Sequence, residues 1–174
     1  ISFGYMLKEN FANPIKKIYG DQPKDIKNLK ATLSETTYTY NGSAKKPSVK
    51  VTDGSYVLIN GTDYTVSYSQ NTNAGVATVQ ITGKGIYAGK KNVNFNIRRA
   101  YPELAFKNTK VTKKYGSSSF ANSLKTRKTD GNIYYSSSNI KVASVDKNTG
   151  KIRLRGTGTT VITASAKTGN NYRA

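Results

Sequence analysis

Apolar residues recur at alternate positions along this chain, in short runs separated by clusters of glycine, asparagine and aspartate. Period two is the signature of a half-buried strand, because successive side chains point to opposite faces. The clearest run is residues 75–89, GVATVQITGKGIYAG, in which Ala77, Val79 and Ile81 share one face. A looser copy, GTTVITASAKTGNNYRA, occupies residues 158–174. In each, a glycine leads into alternating Val, Ile and Thr, then a glycine-containing turn, then a tyrosine (Tyr87, Tyr172) and two further residues. Self-similarity of this kind predicts two related modules in tandem. After Gly89 the first copy continues through KKNVNFNI, with Val93, Phe95 and Ile97 alternating. Nothing follows Ala174 in the sequence, so the second module is expected to lack its closing strand, and the chain reads as a piece of a longer multi-module protein.

The first module is expected over residues 26–98. Its strand signals return at the spacing of an all-β sandwich. Ala31 and Leu33 open it; Tyr38 and Tyr40 share a face; Asn41-Gly42 is a turn. Val49 and Val51 alternate with Lys50, and Asp53-Gly54 turns the chain into residues 56–59. Asn60-Gly61 turns it again into Tyr64, Val66 and Tyr68. No segment sustains a 3.6-residue period, so almost no helix is expected. Residues 99–102 form a short linker ending in Pro102. The second module, residues 103–174, takes early apolar anchors from Phe106, Val111, Tyr115, Phe120 and Leu124. Val142 and Val145, then Ile152 and Leu154, flank a turn at residues 147–150, and Ile162, Ala164 and Ala166 form the last strand. Residues 1–25 are read as a connector or the remnant of a preceding module. Ile1, Phe3, Tyr5 and Leu7 alternate there, Pro14 suits the first turn of a short helix capped by Asn13, and residues 20–23 read as a turn.

Composition narrows the chemistry. The 174 residues contain no Cys, His or Trp and only nine Asp and Glu. Disulfides, thiolate metal sites and thiol nucleophiles are excluded, as is the commonest general base. No apolar run approaches the length of a membrane-spanning helix, and no cofactor site is expected. The net charge of +19 is uneven: +2 over residues 1–29, +6 over 30–100 and +11 over 101–174. Such an excess favours polyanions as partners.

The candidate motifs are weak except one. Asp146-Lys147-Asn148-Thr149-Gly150 has the look of a calcium loop, but Gly150 and Thr157 stand where that loop needs other residues, so a hairpin turn is expected. Gly83-Lys84-Gly85 lacks the ending and following helix of a phosphate loop. Asp53, Asp63, Asp130 and Asp146 are the acids available to a paired-carboxylate hydrolase, yet Asp53 and Asp130 precede glycines in turns. Thirteen tyrosines read as strand packing rather than as a sugar-stacking platform. The sharper signal is charge placement. Lys151, Arg153 and Arg155 alternate with Ile152 and Leu154, which puts all three on one outward face. Lys125 and Arg127 do the same on another strand, beside Lys128. If the two strands share a sheet, the six residues form a basic patch for an anionic polymer.

The second module resembles the bacterial Ig-like group 2 domain. The matching residues are Ser137-Ser138-Asn139, Val142-Ala143-Ser144-Val145-Asp146, Gly150-Lys151-Ile152, Gly156-Thr157-Gly158 and Ile162-Thr163-Ala164. The first module is similar to a related Ig-like repeat of Gram-positive surface proteins through Tyr38-Thr39-Tyr40-Asn41-Gly42, Gly61-Thr62-Asp63-Tyr64, Asn73-Ala74-Gly75 and Gly83-Lys84-Gly85-Ile86-Tyr87. The resemblance implies β-sandwiches in an exported, wall-attached or enzyme-appended protein, acting as stalks and spacers, in some cases in adhesion, with no shared catalytic residues. Its partners would be the neighbouring domains of the parent protein, or, if the module adheres, anionic glycans or cell-wall polymers. Specific nucleic-acid binding and membrane insertion are not expected. Some Gram-positive Ig-like domains carry a Lys–Asn or Lys–Asp crosslink; no lysine falls on an inward strand position here, so none is expected. The open edge of the second module would invite an added strand, and residues 1–7 of a neighbouring molecule have the alternation to supply it.

Overall fold

The computed structural model describes residues 22–174. The alternation at 1–7, the helix at Pro14 and the first half of the turn at 20–23 lie outside the described residues. The rest forms two compact units, one from residues 22–38 and 44–97, the other from 39–43 and 98–174. Both are built from strands, and the described helix content is one 3₁₀ turn, Ile26–Asn28.

The first unit contains β1 (Lys24–Asp25), β2 (Lys30–Leu33), β3 (Thr37–Thr39), β4 (Val49–Asp53), β5 (Tyr56–Val57), β6 (Tyr64–Ser69), β7 (Gly75–Gly83), β8 (Tyr87–Ala88) and β9 (Lys90–Arg98). One sheet has the order β3-β9-β7-β6, a second β2-β4-β5, and β1 pairs with β8 in parallel. Strand β7 is central because it alternates best: Ala77, Val79 and Ile81 are fully buried, while it pairs antiparallel with β6 and β9. Ile26, Leu29, Val51, Leu58, Tyr64, Tyr87, Phe95 and Ile97 complete the core. Each such side chain contributes about 1.5–3 kcal/mol on burial. Two tyrosines of β6 join the sheets. The Tyr64 hydroxyl donates to the Val49 carbonyl at 2.8 Å, and that of Tyr68 to the Pro47 carbonyl at 2.7 Å. Tyr38 meets Phe95 edge-on at 5.6 Å. These rings are packing and hydrogen-bonding groups, as their phase predicts.

The acids of this unit serve structure. Lys24 forms an ion pair with Asp53, whose other oxygen accepts from the Tyr87 hydroxyl at 3.4 Å. Asp63 accepts from the Ile59 N–H at 2.7 Å and fixes the turn before β6.

The second unit contains β10 (Glu103–Phe106), β11 (Phe120–Ala121), β12 (Leu124–Lys128), β13 (Ile133–Ser137), β14 (Ala143–Val145), β15 (Lys151–Leu154) and β16 (Ile162–Ala166). They pair as β10-β12, β11-β15-β14 and β13-β16, all antiparallel. Its core is thinner: Ala143, Ile152 and Ala166 are its buried apolar residues, with Phe106 and Tyr135 stacked at a tilt beside them. Phe106, Phe120 and Leu124 are half-buried, but two of the expected anchors are not anchors. Val111 and Tyr115 are exposed. Both lie in the surface connection between β10 and β11, where Lys110, Lys113 and Lys114 hold the chain in solvent.

Residues 98–102 are stitched into this unit. Ala100 forms a parallel bridge with Tyr172; its N–H donates to the Asn171 carbonyl, and the Arg173 N–H donates to its carbonyl, both at 2.9 Å. Tyr40 meets Tyr172 edge-on at 5.4 Å. Asp130 is more than a turn residue, since it accepts from the Asn171 N–H at 2.7 Å.

Candidate functional site

The strand pair β14–β15 is amphipathic by construction. Its register sets Ala143 opposite Leu154, Ser144 opposite Arg153 and Val145 opposite Ile152. Ala143 and Ile152 are buried, so the alternate set, Ser144 with Lys151 and Arg153, faces outward. The turn that closes the hairpin is held by Asp146. Its Oδ1 accepts from the Thr149 N–H and hydroxyl, both at 2.8 Å, and from the Asn148 N–H at 3.1 Å. The Thr149 N–H first, then its hydroxyl and the Asn148 N–H, hold the Asp146 carboxyl below the usual range. Gly150 follows with φ +70°, and the Tyr135 ring lies 3.0–3.1 Å from where a Cβ would stand. The calcium-like motif is thus a closed hairpin turn.

On the other side of β15 lies β11, with Phe120 opposite Ile152 and Ala121 opposite Lys151. Continued by one residue, this register sets Ser119 beside Arg153. Arg153 therefore runs between two serines, Ser144 on β14 and Ser119 next to β11. Both line an open groove of about 810 Å³ with Tyr115, Ser117, Lys151 and Arg153. Arg155, one residue past β15, donates from Nε to Ser144 Oγ at 3.1 Å. Among the described residues, Lys151 and Arg153 carry no ion pair.

The other predicted cations stand on β12, in the separate β10-β12 sheet. Lys125, Arg127 and Lys128 are all exposed. Lys128 is opposite Glu103 and bonded to it at 2.7 Å. That hydrogen bond first, and then the Glu103 charge, raise the lysine above its ordinary range. The register shifts between Ala105 and Phe106, leaving Lys125 without a partner position on β10. The structure therefore brings Lys151 and Arg153 together, places Arg155 behind Ser144, and assigns Lys125, Arg127 and Lys128 to a different sheet. The condition for one continuous six-residue patch, a shared sheet, is not met.

Sequence reasoning missed Tyr115 and the serines of the groove. The run Tyr115-Gly116-Ser117-Ser118-Ser119 carried a signal, an aromatic beside small hydroxyls, but only the β11–β15 register shows which charges it meets. The Ser137-Ser138-Asn139 motif, by contrast, is internal bracing. Ser137 Oγ donates to the Ala143 carbonyl at 2.7 Å, Ser138 Oγ accepts from the Val161 N–H at 2.9 Å, and Asn139 Oδ1 accepts from the Lys141 N–H at 3.1 Å.

Among the described residues there is no cluster of three or more metal-ligating side chains, and no helix is long and apolar enough to cross a membrane. No curated protein matches the chain. Residues 123–168, which include β12 to β16, match the family model described as intimin, immunoglobulin-like domain. The second unit is thus similar to a bacterial Ig-like domain of the kind carried by surface proteins.

Proposed function

We propose that this chain is a non-catalytic spacer of a bacterial surface protein, projecting or orienting a neighbouring domain outside the cell. One observation carries the reading. In each unit an early segment pairs in parallel with the segment that carries the repeated tyrosine. Lys24 and Asp25 pair with Tyr87 and Ala88, and Ala100 pairs with Tyr172. Tension applied along such a parallel pair slides its two segments past each other, so their hydrogen bonds share the load instead of opening one by one. The tyrosine of the repeated sequence motif supplies this closure twice. The match at residues 123–168 supports the surface location. The motif residues from Ser137 to Ala164 support the group 2 type for the second module, and the Gram-positive assignment rests on the likeness of the first. The proposed modules are 26–98 and 103–174, joined by residues 99–102.

In the parent protein, deleting residues 26–174 should reduce antibody access to an epitope distal to them on intact cells. An unrelated Ig-like pair of equal length should restore it. Failure of the unrelated pair, with the native segment alone restoring access, contradicts the spacer reading. A second reading, an adhesion module for anionic glycans or cell-wall polymers, is favoured by the unpaired cations in the serine-lined groove.

A further inference from the structure

Among the described residues most cations are exposed and outnumber the acids that could pair them, and exposed charge alone makes no site. The groove on the outer face of β11-β15-β14 differs in three respects. Its two cations, Lys151 and Arg153, stand two residues apart on one strand face, about 6–7 Å apart along the chain. Hydroxyls surround them: Ser144 opposite Arg153 on one side, Ser119 on the other, Ser117 and Ser118 beyond. Tyr115 also lines the groove and is 62% exposed although aromatic. The floor is fixed, because Arg155 holds Ser144 and Asp146 closes the turn; Asp146, the one acid lining the groove, has its Oδ1 occupied by the Thr149 and Asn148 donors of that turn.

We propose that this groove binds an acidic saccharide. The Arg153 guanidinium and the Lys151 ammonium take the carboxylate, the serine hydroxyls bond sugar hydroxyls, and the Tyr115 ring covers an apolar sugar face. The chemistry on the page selects this class. Arginine presents a planar fork of donors that matches a carboxylate. Hydroxyls that both donate and accept suit a polyhydroxylated partner better than a bare anion. A volume of about 810 Å³ is in the range of small-molecule sites. Nucleic acid is disfavoured because a single aromatic lines the groove, with no second ring for successive bases to stack upon. The proposal gives the adhesion reading a place and a ligand class. It is compatible with the spacer role, since a stalk can carry a site, and the experiment below leaves the parallel closures untouched.

The test is calorimetric titration of the 174-residue chain at physiological salt with tri-galacturonate, neutral maltotriose, inorganic sulfate and a short single-stranded oligonucleotide. Saturable binding of tri-galacturonate, with the neutral trisaccharide at least tenfold weaker, is expected. Arg153→Gln should weaken it by tenfold or more, and Tyr115→Ala by threefold or more. Arg127→Gln, which removes one charge from the other sheet, should change it less than twofold. All three side chains are exposed, and an unchanged melting temperature confirms that the variants fold. Equal loss in Arg153→Gln and Arg127→Gln means net charge alone attracts the ligand and overturns the site. Sulfate or oligonucleotide binding as tightly as tri-galacturonate overturns the saccharide assignment. No saturable binding of any probe overturns the proposal and leaves the spacer reading standing.

Discussion

Ala100 pairs in parallel with Tyr172, the Ala100 N–H donating to the Asn171 carbonyl at 2.9 Å. Lys24 stands in the same relation to Tyr87, with the Lys24 N–H donating to the Ile86 carbonyl at 2.9 Å. Two tyrosines at matching places in a repeated sequence thus close two separate units. Proline at position 100 removes the donor. Ala100→Pro should destabilise the second unit by about 1–3 kcal/mol, the cost of leaving a carbonyl unpaired and a closure unmade. Urea unfolding followed through amide exchange should show that loss in residues 103–172 and leave the first unit unchanged.

The first unit should be sensitive to the hydroxyl of Tyr64 independently of its ring. Tyr64→Phe keeps the buried ring but orphans the Val49 carbonyl, at a cost of about 1 kcal/mol. Tyr64→Ala also leaves a cavity and should cost about 3–5 kcal/mol. Equilibrium denaturation of the two variants separates the terms.

Tyr64 and Tyr68 also set an alkaline limit. Burial is the main cause that raises both hydroxyls above 10.0. A folded-state pKa above the unfolded one means that the contribution is fully present below about pH 10 and is lost as pH rises toward the folded values. Melting temperature should hold to about pH 9 and fall above pH 10. Tyr64→Phe together with Tyr68→Phe should flatten that fall.

Asp146 predicts the opposite limb. Its folded pKa is depressed below 3.8, so its contribution is present above that value and disappears as pH drops through the folded one. Asp146→Asn should lower the melting temperature of the second unit at pH 6 and remove part of the acid dependence below pH 4, as a thermal series from pH 2 to 6 would show.

Gly150→Ala should destabilise the same hairpin by about 1–3 kcal/mol. The position is left-handed, and the new methyl meets the Tyr135 ring. Near-ultraviolet dichroism of the tyrosines would report the displacement alongside the stability loss.

Much of the fold is legible in the sequence because period two is a local property. Tyr64, Val66 and Tyr68, or Ala77, Val79 and Ile81, announce strand and inward face without reference to any other residue. The all-β class follows from such runs and the turns between them. Pairing is non-local, and there the pattern is silent. Lys125-Arg127 and Lys151-Arg153 carry the same alternation, yet one strand pairs with β10 and the other with β11 and β14. Val111 and Tyr115 look like core residues by type, but no alternating run surrounds them and lysines do. The residues added to Lys151 and Arg153 in the groove, Ser119 and Ser144, become neighbours only through strand register. Even the parallel closures were half visible: the repeated tyrosine stood out, while its partners, Lys24 and Ala100, carry no mark of their own.

The central claim is that these are force-bearing units, and stretching single molecules by their two ends tests it most directly. Two discrete unfolding events are predicted, each releasing about 20–25 nm at about 3.5 Å per residue for the chain enclosed by each parallel closure. Ala100→Pro should lower the force of only one of them. A featureless extension, or two events whose forces ignore the substitution, would contradict the account.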